Sequence, residues 1–113
     1  MAYECLDMSK TFDTYCIEAP DLDVARECVE AALSVHFVLH ESAFWGGNYY
    51  LASSDKFGKI TIRRNYNSYT DALNEPDYPD CQIIVSVSVS QDPDDLAARL
   101  TASGLRLLNR SVI

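Results

Sequence analysis

The chain has 113 residues, a net charge of −8 and 48% hydrophobic residues. This length suits one domain, and the apolar fraction is sufficient for one hydrophobic core. An acidic chain lacks the positive surface that phosphate recognition needs, so we expect no nucleic-acid partner. No stretch approaches the roughly 20 apolar residues of a membrane span, and the N-terminus lacks a signal-peptide pattern. We therefore expect a cytoplasmic protein without a membrane partner.

The first third of the chain predicts a strand followed by a helix. Alternating apolar residues indicate a strand over Phe12–Glu18. A helix is predicted to begin at Pro20 or Asp21 and to end at Leu33, because apolar residues recur there at three- and four-residue spacing. Its other face is charged, so we expect this helix to cover one side of a sheet.

The middle of the chain predicts a series of strands. Three of them have irregular alternation: Val35–His40, Asn48–Ser53 and Lys59–Arg64. The Gly46-Gly47 pair and the segment Ser54–Gly58 carry turn residues that suit antiparallel hairpins. The clearest alternation, of valine and isoleucine against serine, indicates a strand over Gln82–Ser90 with one buried face.

The end of the chain predicts a second helix and a last strand. Asp92 is a favourable N-cap, and Pro93 suits the first helical position. Gly104 can adopt the left-handed conformation that ends a helix, and a strand over Leu105–Arg110 follows. The predicted order is β-α-β-β-β-β-α-β over residues 1–113. We therefore expect one α+β domain, split βαβ-like, with a mainly antiparallel sheet and both helices on one face.

The four cysteines, at positions 5, 16, 28 and 81, are far apart in the sequence. Their spacing matches neither a zinc site nor an iron–sulfur cluster, so we expect no metal and no cofactor. Because there is no secretion signal, we predict free thiols, with Cys16 and Cys28 behaving as small apolar side chains.

Catalytic motifs are missing from the sequence, which predicts that the chain is not an enzyme. It has no nucleophile elbow, no His-Glu-x-x-His motif and no glycine-rich phosphate loop. His36 and His40 are predicted on one strand face, but side chains at this spacing are roughly 13 Å apart, too far to share one ion. A small enzyme that uses either histidine as a base is the third-ranked function.

The segment 65–80 is long for a connection within a compact domain. It contains three tyrosines, two prolines and four acids, but no lysine or arginine. Rigid rings together with carboxylates suit the binding of a basic protein surface. The alternative is an ordered loop whose tyrosines pack onto the core and whose acids pair with Arg63 and Arg64. The predicted partner-binding residues of this segment are Tyr66, Tyr69, Asp71, Glu75, Asp77, Tyr78 and Asp80.

A second aromatic segment, Phe44–Tyr50, surrounds the two adjacent glycines. Aromatic side chains beside a turn are candidates for the centre of a protein interface. We predict Trp45 as a further partner-binding residue, because its indole N–H favours a position at the edge of the core. The alternative is that both Phe44 and Trp45 fold under one end of the core.

Three stretches in the middle of the chain form a recognisable pattern. They are W-G-G-x-Y-Y at Trp45–Tyr50, R-R-N-Y at Arg63–Tyr66 and E-P-D-Y-P-D at Glu75–Asp80. Together they resemble immunity proteins of bacterial polymorphic-toxin and contact-dependent growth-inhibition systems. The resemblance implies a cytoplasmic, toxin-neutralising protein that binds a cognate toxin domain. Toxin domains of these systems that are nucleases are often basic. An acidic inhibitor would be steered toward them electrostatically and could block the active site of the toxin.

A small-molecule-sensing or regulatory α+β domain is the second-ranked function. It predicts a concave apolar pocket in the sheet face and self-association. Toxin inhibition predicts an acidic surface on the outside of the protein. The two hypotheses therefore differ in the kind of surface that the fold should present.

Overall fold

The computed structural model describes residues 11–42, 46–88 and 92–112. Without the two-residue strands β5 and β6, its elements follow the predicted order β-α-β-β-β-β-α-β. The strand predicted over Gln82–Ser90 is confirmed up to residue 88, and its last two residues lie outside the described ranges. The elements are β1 (Thr11–Ile17), α1 (Leu22–Leu33), β2 (Val38–Ser42), β3 (Gly47–Ser54), β4 (Gly58–Arg64), β5 (Tyr66–Asn67), β6 (Ala72–Leu73), β7 (Ile83–Ser88), α2 (Pro93–Ala102) and β8 (Arg106–Val112).

Six strands form one antiparallel sheet in the order β2-β3-β4-β7-β1-β8. The short strands β5 and β6 form a separate hairpin between β4 and β7. A bulge between Thr14 and Tyr15 shifts the register of β1 against β8. The predicted α+β class with a mainly antiparallel sheet is confirmed.

Alternation along the strands selects the side chains that lie under the helices. Ile60 and Ile62 of β4, together with Val85 and Val87 of β7, are fully buried. They pack in one cluster with the apolar stripes of α1 and α2. Both helices therefore cover the same face of the sheet. Neither helix is long and apolar enough to cross a membrane.

Both helices begin and end close to the predicted residues. The carboxylates of Asp21 and Asp92 each accept a hydrogen bond from the backbone N–H three residues later. Helix α2 is followed by Gly104, which has a φ of +96°. The N–H of Leu105 then donates to the carbonyl oxygen of Leu100 at 3.0 Å. This is the turn that the glycine predicts, because a side chain is strained in that conformation.

The second strand begins later than predicted. Strand β2 starts at Val38, so His36 precedes it, and the prediction that both histidines lie on one strand is wrong. The physical reason is the end of helix α1. Ser34 adopts a left-handed φ of 57°, and the Glu30 carboxylate accepts the N–H of Phe37 at 2.9 Å. The chain turns there and becomes extended only afterwards.

Cys16 and Cys81 form a disulfide bond with their Cα atoms 5.8 Å apart, so the prediction of free thiols is wrong for both. The pairing of β1 with β7, which places Cys16 opposite Ile84, brings them together. Cys28 is a free, half-buried thiol in α1, as predicted. Cys5 lies outside the described residues.

Candidate functional site

Strands β1 and β4 end, and β7 begins, at one end of the sheet. Ile83 pairs with both Ile17 and Arg64. The loop 65–82 and the connection from β1 to α1 therefore leave the sheet at the same place. We call this region the acidic end, after its acidic residues: Glu18, Asp21, Asp23, Asp71, Glu75, Asp77 and Asp80.

The loop between β4 and β7 is held by a buried asparagine. Asn65 is 1% exposed, and its amide nitrogen donates to the carbonyl oxygens of Tyr78 and Cys81, both at 2.9 Å. Its side-chain oxygen accepts the N–H of Glu75 at 2.6 Å. One side chain thus satisfies backbone groups at several points along the loop. The loop has a defined path although it buries few apolar side chains.

Two of the predicted partner-binding residues support the loop itself. The Glu75 carboxylate accepts a hydrogen bond from the guanidinium of Arg63 at 3.0 Å. Burial lowers the pKa of Arg63, and the negative charge of Glu75 opposes that change. Tyr78 is half-buried against the disulfide, and its hydroxyl donates to the carbonyl oxygen of Leu108 at 3.4 Å. For these two residues the structure matches the alternative of an inward-packed, ion-paired loop.

The other predicted residues of the loop are exposed. Tyr66 and Tyr69 are 47% and 64% exposed. The Tyr66 hydroxyl donates to the Asp71 carboxylate, and this hydrogen bond raises the pKa of Tyr66. Asp77 and Asp80 are exposed and form no ion pair with any described residue. These five residues provide rings and carboxylates on one ordered segment.

The tertiary structure adds three acids that the sequence analysis did not assign to a site. Glu18 and Asp80 line one open cleft of about 230 Å³. Asp21 and Asp23, at the start of α1, line another of about 390 Å³. Sequence reasoning treated the acids before α1 only as helix-start residues, which they also are. The position of Glu18 in the same cleft as Asp80 depends on the pairing of β1 with β7.

The aromatic segment reaches the acidic end through Tyr50. The Tyr50 hydroxyl donates to the Asp23 carboxylate, and this hydrogen bond raises the pKa of Tyr50. The guanidinium of Arg26 lies over the same ring, 5.4 Å from its centre. The side chain of Tyr50, on β3, is therefore held against helix α1, beside the larger cleft.

The loop also contacts the glycine before β3. A Cβ atom on Gly46 would lie 2.4 Å from the Cα of Asn67, so only glycine fits there without displacing the backbone. The Ser68 hydroxyl donates to the Gly46 carbonyl oxygen at 3.1 Å. Phe44 and Trp45 lie outside the described residues. The assignment of Trp45 to the partner-binding surface stays a prediction.

At the opposite end of the sheet, two of the acids, Asp13 and Asp95, lie against bases. The Asp95 carboxylate accepts hydrogen bonds from Lys56 at 2.7 Å and from Arg99 at 3.0 Å, and these contacts lower the pKa of Asp95. Asp13, which is fully buried, pairs with Arg110 at 2.8 Å. This end therefore presents less free negative charge than its sequence suggests.

Within the described residues, neither histidine forms an ion pair or hydrogen bond with a carboxylate of the loop 65–82. The side chain of His36 is 87% exposed, and its Nδ1 atom is 3.7 Å from Glu30, beyond hydrogen-bond distance. His40 stacks on Tyr49, with 5.6 Å between the ring centres. Neither contact is the hydrogen-bonded carboxylate that usually orients a catalytic histidine. In the described ranges, no group of three or more histidine, cysteine or acidic side chains could hold a metal ion.

The acidic end combines carboxylates, tyrosine rings and open clefts on an ordered backbone. Such an arrangement can form charge-assisted hydrogen bonds with lysine and arginine side chains. No protein-family model matches the sequence, and no similar curated protein or solved structure was found. A function for the chain therefore has to be inferred from its own residues.

Proposed function

We propose that this chain is a toxin-neutralising immunity protein that binds a cognate, basic toxin domain and blocks its active site. The observation that supports the proposal best is the ordered loop 65–80, which exposes Asp77 and Asp80 beside Tyr66 and Tyr69. A loop with a defined path loses less conformational freedom on binding than a disordered one, which favours affinity.

The charge of the acidic end supports a basic partner. Asp77 and Asp80 have no ion pair among the described residues, and Glu18 lies across a cleft from Asp80. Free surface carboxylates attract a basic surface before contact and accelerate association. A basic toxin domain would therefore be oriented toward this end of the protein as it approaches.

Aromatic rings at the same end supply contact area. Tyr66 and Tyr69 are the most exposed tyrosines of the loop. Tyrosine is enriched at the centres of protein interfaces, because its ring is rigid and its hydroxyl forms hydrogen bonds. Trp45 is proposed as a further apolar anchor, since it precedes Gly46, which contacts the loop.

The clefts of the acidic end favour a protein partner over a small ligand. Two of them, of about 390 and 230 Å³, are open to solvent and include the acidic residues Asp21, Asp23 and Asp80 in their walls. A small-molecule-sensing domain would instead present a concave, mainly apolar pocket. This contrast keeps toxin inhibition as the first-ranked function.

The proposed location is the cytoplasm, where an immunity protein of this kind would meet its toxin. Cytosolic thiols are mostly kept reduced, so a permanent disulfide would be unusual there. Under this proposal the bond between Cys16 and Cys81 is formed only conditionally. Alkylation of free thiols in intact cells, followed by mass spectrometry, measures the oxidised fraction directly.

Affinity capture from the native host tests the proposed partner. We expect a basic protein whose expression is toxic and whose toxicity disappears when this chain is co-expressed. The double variant Asp77→Lys/Asp80→Lys should then lower the association rate at low salt by about tenfold or more. A partner without a basic surface, or a toxin that stays toxic during co-expression, contradicts the proposal.

A matched control separates the acidic end from net charge. Asp55 is exposed in the turn between β3 and β4 and, like Asp80, forms no ion pair with a described residue. Asp55→Lys changes the net charge as much as Asp80→Lys does. Binding kinetics by surface plasmon resonance should show slower association only for the Asp80 variant. Equal slowing by both would mean that total charge, rather than this surface, attracts the partner.

A further inference from the structure

The disulfide joins the loop 65–82, which we call the acidic loop, to the face of the sheet opposite the helices. Cys16, Cys81 and Ile84 form a small buried cluster, against which Tyr78 and Leu108 pack. The main core is a separate cluster and contains the apolar residues of both helices. Successive side chains of a strand point to opposite faces, so the disulfide lies across the sheet from the helices. Its packing stabilises the loop rather than the helices.

The other supports of the loop are polar. They are the hydrogen bonds of Asn65 and the ion pair between Arg63 and Glu75. Neither forms a covalent link between the loop and a distant part of the chain. The bond from Cys16 to Cys81 does, because it spans 65 positions of sequence. Without it, the end of the loop would be held to β1 by packing within the small cluster and by the strand pairing that begins at Ile83.

The bond is buried, with Cys16 5% and Cys81 2% exposed, but both residues border clefts that are open to solvent. Cys16 forms part of the wall of the open cleft that also contains Glu18 and Asp80. Cys81 lines a neighbouring cleft of about 250 Å³. The sulfur of Cys81 lies 3.0 Å from the carbonyl oxygen of Ile83, which can accept a thiol proton after reduction. The reduced Cys81 side chain thus has a hydrogen-bond acceptor in the same structure.

We propose that the Cys16–Cys81 bond is a redox-sensitive tether, which holds the acidic loop in one arrangement when formed and lets residues 66–81 loosen when reduced. A dithiol reductant supplies the electrons. Its thiolate attacks one cysteine sulfur, the S–S bond breaks, and the other sulfur leaves as a thiolate and takes up a proton. The second thiol of the reductant resolves the mixed disulfide, which releases the remaining cysteine and leaves the reductant as a cyclic disulfide.

The consequence for binding rests on the proposed function. A loosened loop must be ordered again when a partner binds, so the reduced protein would bind a basic toxin domain more weakly. The tether itself can be tested without any partner. Failure of the tether and failure of the proposed function are therefore distinguishable.

Hydrogen–deuterium exchange of the oxidised and the dithiothreitol-reduced protein tests the tether. The N–H groups of Asn74, Glu75 and Tyr78 are hydrogen-bonded within the loop and report on its opening. We expect them to exchange about tenfold faster after reduction, while the amides of β3 and β4 stay protected. The double variant Cys16→Ala/Cys81→Ala should reproduce the reduced pattern without reductant. Cys28→Ser should respond to reductant as the unchanged protein does.

Three outcomes would overturn the tether. Mass spectrometry after alkylation could show that no bond forms between Cys16 and Cys81 in air. The loop amides could exchange at equal rates in both redox states. The strands could lose protection together with the loop, which would mean that the bond maintains the whole fold rather than this segment.

Discussion

Where helix α2 begins, Asp94 and Asp95 lie within ion-pair distance of arginine or lysine, whereas at the acidic end Asp77 and Asp80 have no such contact with a described residue. Both regions are rich in carboxylates in the sequence. They differ because bases reach Asp94 and Asp95, whereas at the acidic end Arg63 reaches Glu75 but neither Asp77 nor Asp80. The charge available to a partner therefore depends on tertiary pairing, not on the local number of acids.

The two ends also differ in what they bury. Near the start of α2, the buried Asp13 carboxylate is bound by the guanidinium of Arg110 and by the hydroxyl of Tyr15 at 3.0 Å. Burial, followed by the charge of Asp13, raises the pKa of Tyr15 well above its usual value. At the acidic end, the buried Asn65 is neutral, and the buried Arg63 pairs with Glu75, which is only partly buried. The buried charge is thus a carboxylate at one end and a guanidinium at the other, where an amide adds hydrogen bonds to the loop.

The largest expected effect is the loss of the buried ion pair. Arg110→Met leaves the Asp13 carboxylate buried without its cation, and we expect the free energy of unfolding to fall by about 3 kcal/mol. Urea unfolding followed by circular dichroism measures the change. Arg106→Met is the control, because Arg106 is exposed on the same strand and forms no ion pair with a described residue. If both variants lose the same free energy of unfolding, the ion pair between Asp13 and Arg110 does not account for the loss, and β8 stabilises the fold through packing alone.

A smaller effect is expected at the acidic end. Asn65→Ala removes hydrogen bonds to the backbone at Glu75, Tyr78 and Cys81, and we expect a loss of about 2 kcal/mol. Limited proteolysis should also become faster within 66–80, since the loop loses its central contact. Asn48→Ala, at an exposed position of β3, should change neither quantity. If the Asn65 variant keeps both its stability and its protease resistance, the loop is ordered by other contacts.

The smallest expected effect is on the titration of Asp95. Lys56 and Arg99 lower the pKa of Asp95 below its ordinary value of 3.8. A depressed pKa of a carboxyl group in the folded state contributes stability above the unfolded pKa, and this contribution is lost as the pH falls through the lower folded value.

Lys56→Met should therefore move the NMR titration midpoint of Asp95 upward. Lys59→Met, at an exposed position of the following strand, should leave it in place. An Asp95 midpoint that does not respond to the Lys56 variant would weaken the contrast between the two ends, because the carboxylate would then be as free as those of the loop.

Local signals account for the elements that were predicted well. The N-cap Asp92 and the left-handed Gly104 bound α2 because capping depends on residues within one helical turn. The alternation over Ile83–Ser88 predicted β7 because it follows from the two faces of a strand. Strand β2 was placed too early, since its start depends on the contact between Glu30 and the backbone of Phe37.

The candidate site could be predicted only in part. The sequence indicated the acidic, tyrosine-rich segment, because composition and loop length are local properties. It could not separate the exposed Asp77 and Asp80 from Glu75, which pairs with Arg63. Nor could it bring Glu18 beside Asp80, since those residues meet through the pairing of β1 with β7.

The sequence by itself therefore determined the order of elements, the helix boundaries and the location of an acidic segment. Periodicity and capping act between residues a few positions apart, so they can be read from the chain. The tertiary structure alone decided which carboxylates are free, which tyrosines face outward and that Cys16 is bonded to Cys81. Those outcomes depend on the strand order β2-β3-β4-β7-β1-β8, which joins residues distant in sequence.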